Sequence, residues 1–140
     1  MTCSRVPFRR RTLLIIVIVA APAHWAAAEE PLEKLRAEKL AAAKEMYRAV
    51  EVGHEAGVNT VGEYYAASKG WKDAAYEIAK TKTERVAALE QHRDRMEALH
   101  KQIHELAAAN RRGGEADKEA AARFWVAQSK IWLAEEKAKP

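Results

Sequence analysis

At 140 residues the chain has room for a single domain, and its hydrophobic fraction of 49% is inflated by alanine, which favours helix but buries little area. The net charge of +4 comes from Arg5, Arg9, Arg10 and Arg11, because removing these four from the 24 lysines and arginines leaves 20, which equals the 20 acidic residues. This balance argues against a nucleic-acid or anionic-membrane surface, which needs a basic patch.

The first 28 residues have the three regions of a secretory signal peptide. The arginine cluster precedes an apolar run at 13–21, and three alanines at 26–28 form a small-residue cleavage site. We expect cleavage after Ala28, with Ala23 as an earlier option. An uncleaved anchor helix is the alternative, but the apolar run is much shorter than the about 20 residues that a span needs.

The same segment carries two further signals. Arg10 and Arg11 resemble a twin-arginine export signal, although the strongly apolar run fits the general route better. Cys3, the only cysteine, lies in the segment that cleavage would remove. The protein is therefore expected to be periplasmic or otherwise extracytoplasmic, without a thiol and without a membrane span after cleavage.

Helix one is predicted over residues 31–55. Pro31 suits a first helical turn, because its missing N–H would be unpaired there. Gly57 supplies the left-handed residue that ends the helix. The apolar residues keep a three-and-four spacing, widened by Leu40 and Tyr47, and are Leu32, Leu35, Ala43, Met46 and Val50.

Helix two is predicted over residues 60–109, roughly 70 Å long at about 1.5 Å per residue. Thr60 and Glu63 form a capping-box pattern at its start, and the short connection makes helices one and two antiparallel. The middle of helix two is polar, and we expect one partner helix to end there and another to begin. The heptad-type seam consists of Trp71, Ala75, Ile78, Lys82, Arg85, Leu89, His92, Met96, Leu99, Ile103 and Leu106.

Helix three is predicted over residues 116–137, after a break at 110–114. One stripe holds Phe124, Ala127 and Ile131, with Trp125 and Trp132 a heptad apart beside it. The predicted fold is all-α. We expect an elongated, antiparallel, coiled-coil-like three-helix domain over residues 29–140, with one long central helix flanked by two shorter helices.

A spaced pattern of small, capping and aromatic residues opens helix two. Gly57, Thr60, Glu63, Ala67, Trp71 and Ala74 follow the spacing G-x-x-[ST]-x-x-[DE]-x-x-x-A-x-x-x-[LW]-x-x-A. This spacing resembles the recurrent segment of TolC-type outer-membrane efflux proteins, in which it opens a long envelope-spanning helix. A degenerate second copy near Gly113 would place Ala122 where Ala67 stands.

Two other runs, 84–96 and 124–135, resemble short exported helical domains of planctomycete-type bacteria. The first resemblance implies an efflux-related role in the cell envelope, and the second implies export alone. Neither implies a catalytic position. At most the chain would copy a helical part of an efflux channel.

Histidine and methionine recur every fourth residue at His92, Met96, His100 and His104. His100 and His104 share a helix face, and such a row in an exported protein whose mature part has no cysteine is able to bind copper, zinc or nickel. One helix provides two good ligands and a closed zinc site needs four, so a glutamate, helix three or a second chain would complete it. The alternative interpretation is that these are surface or half-buried residues, with Met96 in the core.

Nothing in the sequence indicates an enzyme. Ser68 and Ser129 lack an orienting base, and no pair of carboxylates is placed for acid–base work. The tryptophans are interpreted as core residues. The leading hypothesis is a non-enzymatic extracytoplasmic scaffold or interaction protein that binds an envelope protein or a second copy through its helical faces. The alternative is a periplasmic metal-binding or metal-sensing protein that uses His100 and His104.

Overall fold

A computed structural model describes residues 23–109 and 116–140, with side chains from residue 31 onward. This part of the chain forms four helices, α1 (Ala23–Glu55), α2 (Val61–Ile78), α3 (Lys82–Ala109) and α4 (Ala116–Ala138). It contains no strand. The all-α class is confirmed, whereas the prediction of three helices is wrong, because the predicted central helix is two helices.

Helix α1 begins before the predicted start at residue 31 and ends where predicted, at Glu55. Pro31 therefore lies inside the helix and not in its first turn. A proline there removes one backbone hydrogen bond at a cost of about 3 kcal/mol, and the alanines at 26–28 favour helix on its upstream side. The apolar run at 13–21 lies outside the described residues, so the export signal stays a prediction.

The turn between α1 and α2 has the predicted chemistry. Gly57 has φ +73°, a left-handed conformation that glycine adopts without a Cβ clash. Thr60 caps α2, since the Glu63 N–H donates to its Oγ1 at 3.2 Å and the Thr60 N–H donates to Glu63 Oε2 at 2.7 Å. The capping box and the glycine-defined helix end are confirmed.

A second capping arrangement separates α2 from α3 at residues 79–81. Ala79 leaves the helical conformation with ψ 120°. The Glu84 N–H then donates to Thr81 Oγ1 at 3.2 Å, and Glu84 Oε2 accepts from the N–H groups of Thr81 and Lys80 at 2.9 and 2.7 Å. Because α3 can satisfy its own N-terminus, the chain folds back here, and the single helix predicted over 60–109 does not form.

Successive helices pack antiparallel in chain order. Between α1 and α2, for example, Lys39 pairs with Glu77 near one end and Tyr47 contacts Tyr64 nearer the other. The backbone of α1 approaches α2 alone, while α4 lies against α3 and touches α2. The fold is thus an open helical meander with α1 at one edge.

The core lies on both sides of α2, between α1 and the α3–α4 pair. It does not use the whole apolar stripe predicted on helix one, because Leu35 is 60% exposed and Met46 50% exposed, while Tyr47 is buried. On α4, Phe124 is 63% exposed. The central buried cluster is Tyr47, Val61, Tyr64, Ala67, Met96, Leu99, Ile103 and Ala122.

Among the described helices, none combines the length and the apolar character needed to cross a bilayer.

Candidate functional site

A polar cluster is buried where α2 faces α3. The Ser68 hydroxyl oxygen lies 2.9 Å from His92 Nδ1, and Arg95 Nε donates to the same oxygen at 2.7 Å. Arg95 also donates from Nη2 to the Ser68 carbonyl at 3.3 Å. Ser68 and His92 are fully buried. We call these three residues, Ser68, His92 and Arg95, the polar layer.

Aromatic rings enclose the polar layer. The Arg95 guanidinium lies 4.0 Å from the centre of the Trp71 ring. The His92 ring stacks 5.9 Å from Trp132, and Tyr65 lies 6.1 Å away on another side. Cation–π and stacking contacts each stabilise by about 0.5–2 kcal/mol. Trp71 and Trp132 are half-buried and cover the polar layer, so the prediction that they are core residues holds only in part.

Burial holds His92 in its neutral form. Removal from water, reinforced by the positive charges of Arg95 and Lys72, lowers the pKa of His92 to about 4. Arg95 donates to the Ser68 oxygen, so the serine hydrogen is free to point at His92 Nδ1; in that tautomer the ring proton lies on Nε2. Within the described residues Nε2 has no hydrogen-bond partner.

The contact between Ser68 and His92 corrects the expectation that Ser68 lacks a basic neighbour. On the predicted single helix these residues, 24 positions apart, would be about 36 Å apart. The fold-back at residues 79–81 brings them together. The TxxE pattern at Thr81 and Glu84 was the available signal, because it repeats the Thr60 and Glu63 pattern at the start of α2.

A buried carboxylate, Glu136, joins the end of α2, the start of α3 and the end of α4. Glu136 accepts from Arg85 Nε at 2.5 Å, from Lys139 Nζ at 2.6 Å and from the Tyr76 hydroxyl at 2.6 Å. These donors, the arginine foremost, lower the pKa of Glu136 to about 2. Lys82 Nζ donates to the Lys137 carbonyl at 3.0 Å and so caps the end of α4. The arrangement is a structural clamp that no local sequence pattern indicates.

The four residues of the predicted metal row separate into two groups. His92 and Met96 are fully buried in the interior. The rings of His100 and His104 lie 6.4 Å apart near the surface, and His104 Nδ1 is 3.2 Å from Glu119 Oε1 on α4. Within the described residues no three His, Cys, Asp or Glu side chains are grouped to hold a metal. A metal site at His100 and His104 stays a prediction that requires additional ligands.

The residues of the TolC-like spacing have local structural roles. Gly57, Thr60 and Glu63 form the turn and the cap described above. Ala67 and Ala74 are buried, at 3% and 1% exposure, and each presents only a methyl group to the neighbouring helices. Trp71 covers Arg95. The proposed second copy near Gly113 falls outside the described residues, although Ala122 is buried in the core.

A cavity of about 670 Å³ opens beside the α1–α2 turn. Its lining is mixed: His54 and Asn59 are polar, whereas Val61, Ile103 and Trp125 are apolar. Asn59 is already engaged, because its side-chain amide donates to the Val50 carbonyl at 3.1 Å. Glu55, Asp117 and Lys118 also line it, and these charges of both signs do not indicate one ligand class.

A line of exposed residues runs along one side of α1 and another along one side of α4. On each helix, six exposed positions alternate three and four residues apart, which is the spacing of a coiled-coil seam. The α1 outer face consists of Leu32, Leu35, Lys39, Ala42, Met46 and Ala49. The α4 outer face consists of Ala120, Phe124, Ala127, Ile131, Ala134 and Ala138.

No family model matches the chain, and neither a curated protein nor a solved structure is significantly similar to it.

Proposed function

We propose that this chain is a non-enzymatic, extracytoplasmic interaction protein of the cell envelope that binds through the outer faces of α1 and α4. The observation that carries the proposal is the pair of exposed apolar seams. Phe124 and Ile131 are 63% and 51% exposed, and Leu35 and Met46 are 60% and 50% exposed. Large apolar side chains aligned on one helix face are typical of binding surfaces.

The polar interior supports the same proposal, because its groups, His92 Nε2 excepted, are engaged with one another. Ser68, His92 and Arg95 bind one another, and Glu136 is surrounded by its three donors. The proposed link to TolC-type efflux rests on residues 57–74 alone. It assigns this chain a helical, envelope-associated role with no transport step of its own.

The test places a photo-crosslinking amino acid at Phe124 in cells that express the full chain. We expect a specific crosslinked species, to an envelope protein or to a second copy. The matched control is Val58, which is 77% exposed but lies on neither outer face, and should give no such species. A chain that stays monomeric and crosslinks equally from both positions, or from neither, would contradict the proposal.

A second candidate function is metal binding, favoured by the approach of His104 to Glu119 on another helix. His100 and His104 would supply two nitrogen ligands, and a second chain would complete the site, because no third ligand is grouped with them within the described residues. Calorimetry with zinc or copper should show binding near micromolar affinity that the double variant His100→Ala/His104→Ala lacks. The variant His54→Ala, away from this face, is the control. No heat of binding by the unmodified chain would remove the metal proposal.

A further inference from the structure

The two outer faces carry opposite charges along one border. Glu38 and Glu45 flank the α1 outer face and form no ion pair within the described residues. On the α4 outer face the corresponding positions are Arg123, Lys130 and Lys137, all exposed. In heptad terms these residues all occupy the position just before a seam residue, which is where interhelical ion pairs select partner and direction.

From this complementarity, which rests on the proposed binding role of the outer faces, we infer that the α1 outer face of one copy of this chain docks antiparallel against the α4 outer face of a second copy. The two faces have matching lengths, about 26 Å and 27 Å at 1.5 Å per residue. Each copy presents both faces, since the backbone of α1 approaches only α2, while α4 lies mainly against α3.

Side-chain size supports the antiparallel direction. With Met46 opposite Ala127, the same register places Ala42 opposite Ile131 and Ala49 opposite Phe124. Each of these three large side chains then meets an alanine. This alternation of large and small residues across facing positions is what allows two seams to interdigitate.

Charge supports the same register. It brings Glu45 to Lys130 and Glu38 to Lys137 on one border. In the parallel direction, the two glutamates would instead border Gln128 and Glu135, which offer no positive charge. If two α4 outer faces packed antiparallel, their basic residues would face each other. If two α1 outer faces packed antiparallel, their glutamates would face each other. Among the antiparallel pairings, α1 to α4 is therefore the one in which neither border meets like charge.

Lys130 and Lys137 already pair with Glu97 and Glu90 of their own chain, at 2.9 and 2.7 Å. These are surface pairs with the lysine side chains 56% and 51% exposed, so they are weak and exchangeable. The seam is short, and its central contacts are half alanine. The association is consequently weak and salt-sensitive, and because the two faces differ, it is head-to-tail and does not stop at a dimer.

The test is sedimentation velocity of the purified full chain over a wide concentration range. We expect the average mass to rise beyond that of a dimer and to fall at high salt. Glu38→Lys/Glu45→Lys and Lys130→Glu/Lys137→Glu should each weaken the association by roughly tenfold or more. An equimolar mixture of these two variants should recover it, because each reversed face then meets a complementary one.

Two further variants guard against a loss of folding. Phe124→Ser changes an exposed seam residue and should weaken association without lowering helicity, while Val58→Ser should change neither. A chain that is monomeric at every concentration overturns the inference, as does recovery that fails on mixing. Sensitivity to the α4 variants alone would show pairing of two α4 faces and would also overturn it. If the chain is monomeric but crosslinks from Phe124 to another envelope protein, self-association fails and the proposed function stands.

Discussion

Lowering the pH from 7 to 5 should destabilise the folded chain through His92. The buried ring has a pKa of about 4 in the folded protein, against about 6.5 for an unfolded histidine. Between these two values the unfolded chain binds a proton that the folded chain does not bind. The stability from neutral His92 is therefore fully present above about pH 6.5 and is lost as the pH falls toward 4.

The size of the loss follows from the two pKa values. The full difference corresponds to about 3 kcal/mol, and the part that falls between pH 7 and pH 5 is about 2 kcal/mol. This is a large share of the 5–15 kcal/mol typical of a small domain. Protonation would also place a second positive charge beside Arg95 and remove the acceptor of the Ser68 hydroxyl.

Urea unfolding followed by tryptophan fluorescence measures the effect directly, because Trp132 stacks on His92. The variant His92→Asn keeps an acceptor for Ser68 but cannot titrate, so its stability should change by about 2 kcal/mol less than that of the unmodified chain between pH 7 and pH 5. The exposed histidine variant His104→Gln should retain the full change. If the free energy of unfolding of the unmodified chain and of His92→Asn changed equally between pH 7 and pH 5, His92 would not be the source of the pH dependence.

Three other changes test the clamp, the caps and the turn. Thr81→Ala removes the cap of α3 and should lower the free energy of unfolding by about 1 kcal/mol in chemical denaturation, with an unchanged helix content before unfolding; no loss would mean that the fold-back does not depend on the cap. Glu136→Gln should destabilise the chain at pH 7 and flatten its acid unfolding between about pH 4.5 and pH 2. The reason is that the pKa of Glu136 is depressed, so that its stabilisation disappears in this pH window. An unaltered acid unfolding profile, followed by circular dichroism, would contradict the clamp. Gly57→Ala should lower the free energy of unfolding by about 1 kcal/mol, and Gly57→Asn should lower it by less. A φ of +73° disfavours residues that carry a Cβ, and among these asparagine tolerates this conformation best. Equal thermal midpoints for the two variants would contradict this expectation.

Local chemistry made much of the secondary structure predictable. The end of α1 at Glu55, the glycine turn at Gly57 and the box of Thr60 and Glu63 depend on residues within a few positions of one another. Such interactions form whatever the rest of the chain does, so sequence patterns report them well. The break at Thr81 was equally local, but the continuing heptad spacing through residues 78–89 concealed it.

The candidate binding surface was only partly predictable for a related reason. The sequence shows stripes on helix one and helix three but does not say which border of each stripe becomes core. Tyr47 and Ser129 proved to be buried, whereas Met46 and Ile131 remained exposed. Heptad spacing identifies apolar lines along a helix, and the rotation of each helix against its neighbours then decides which line faces water.

The sequence by itself determined the helical class, the helix ends around Gly57 and the lines of apolar residues, because each follows from contacts between near neighbours in the chain. Only the tertiary structure decided that α2 and α3 fold against each other, that Ser68, His92 and Arg95 meet, and that Glu136 is buried among its donors. These features join residues tens of positions apart. They depend on a register between helices that no local pattern encodes.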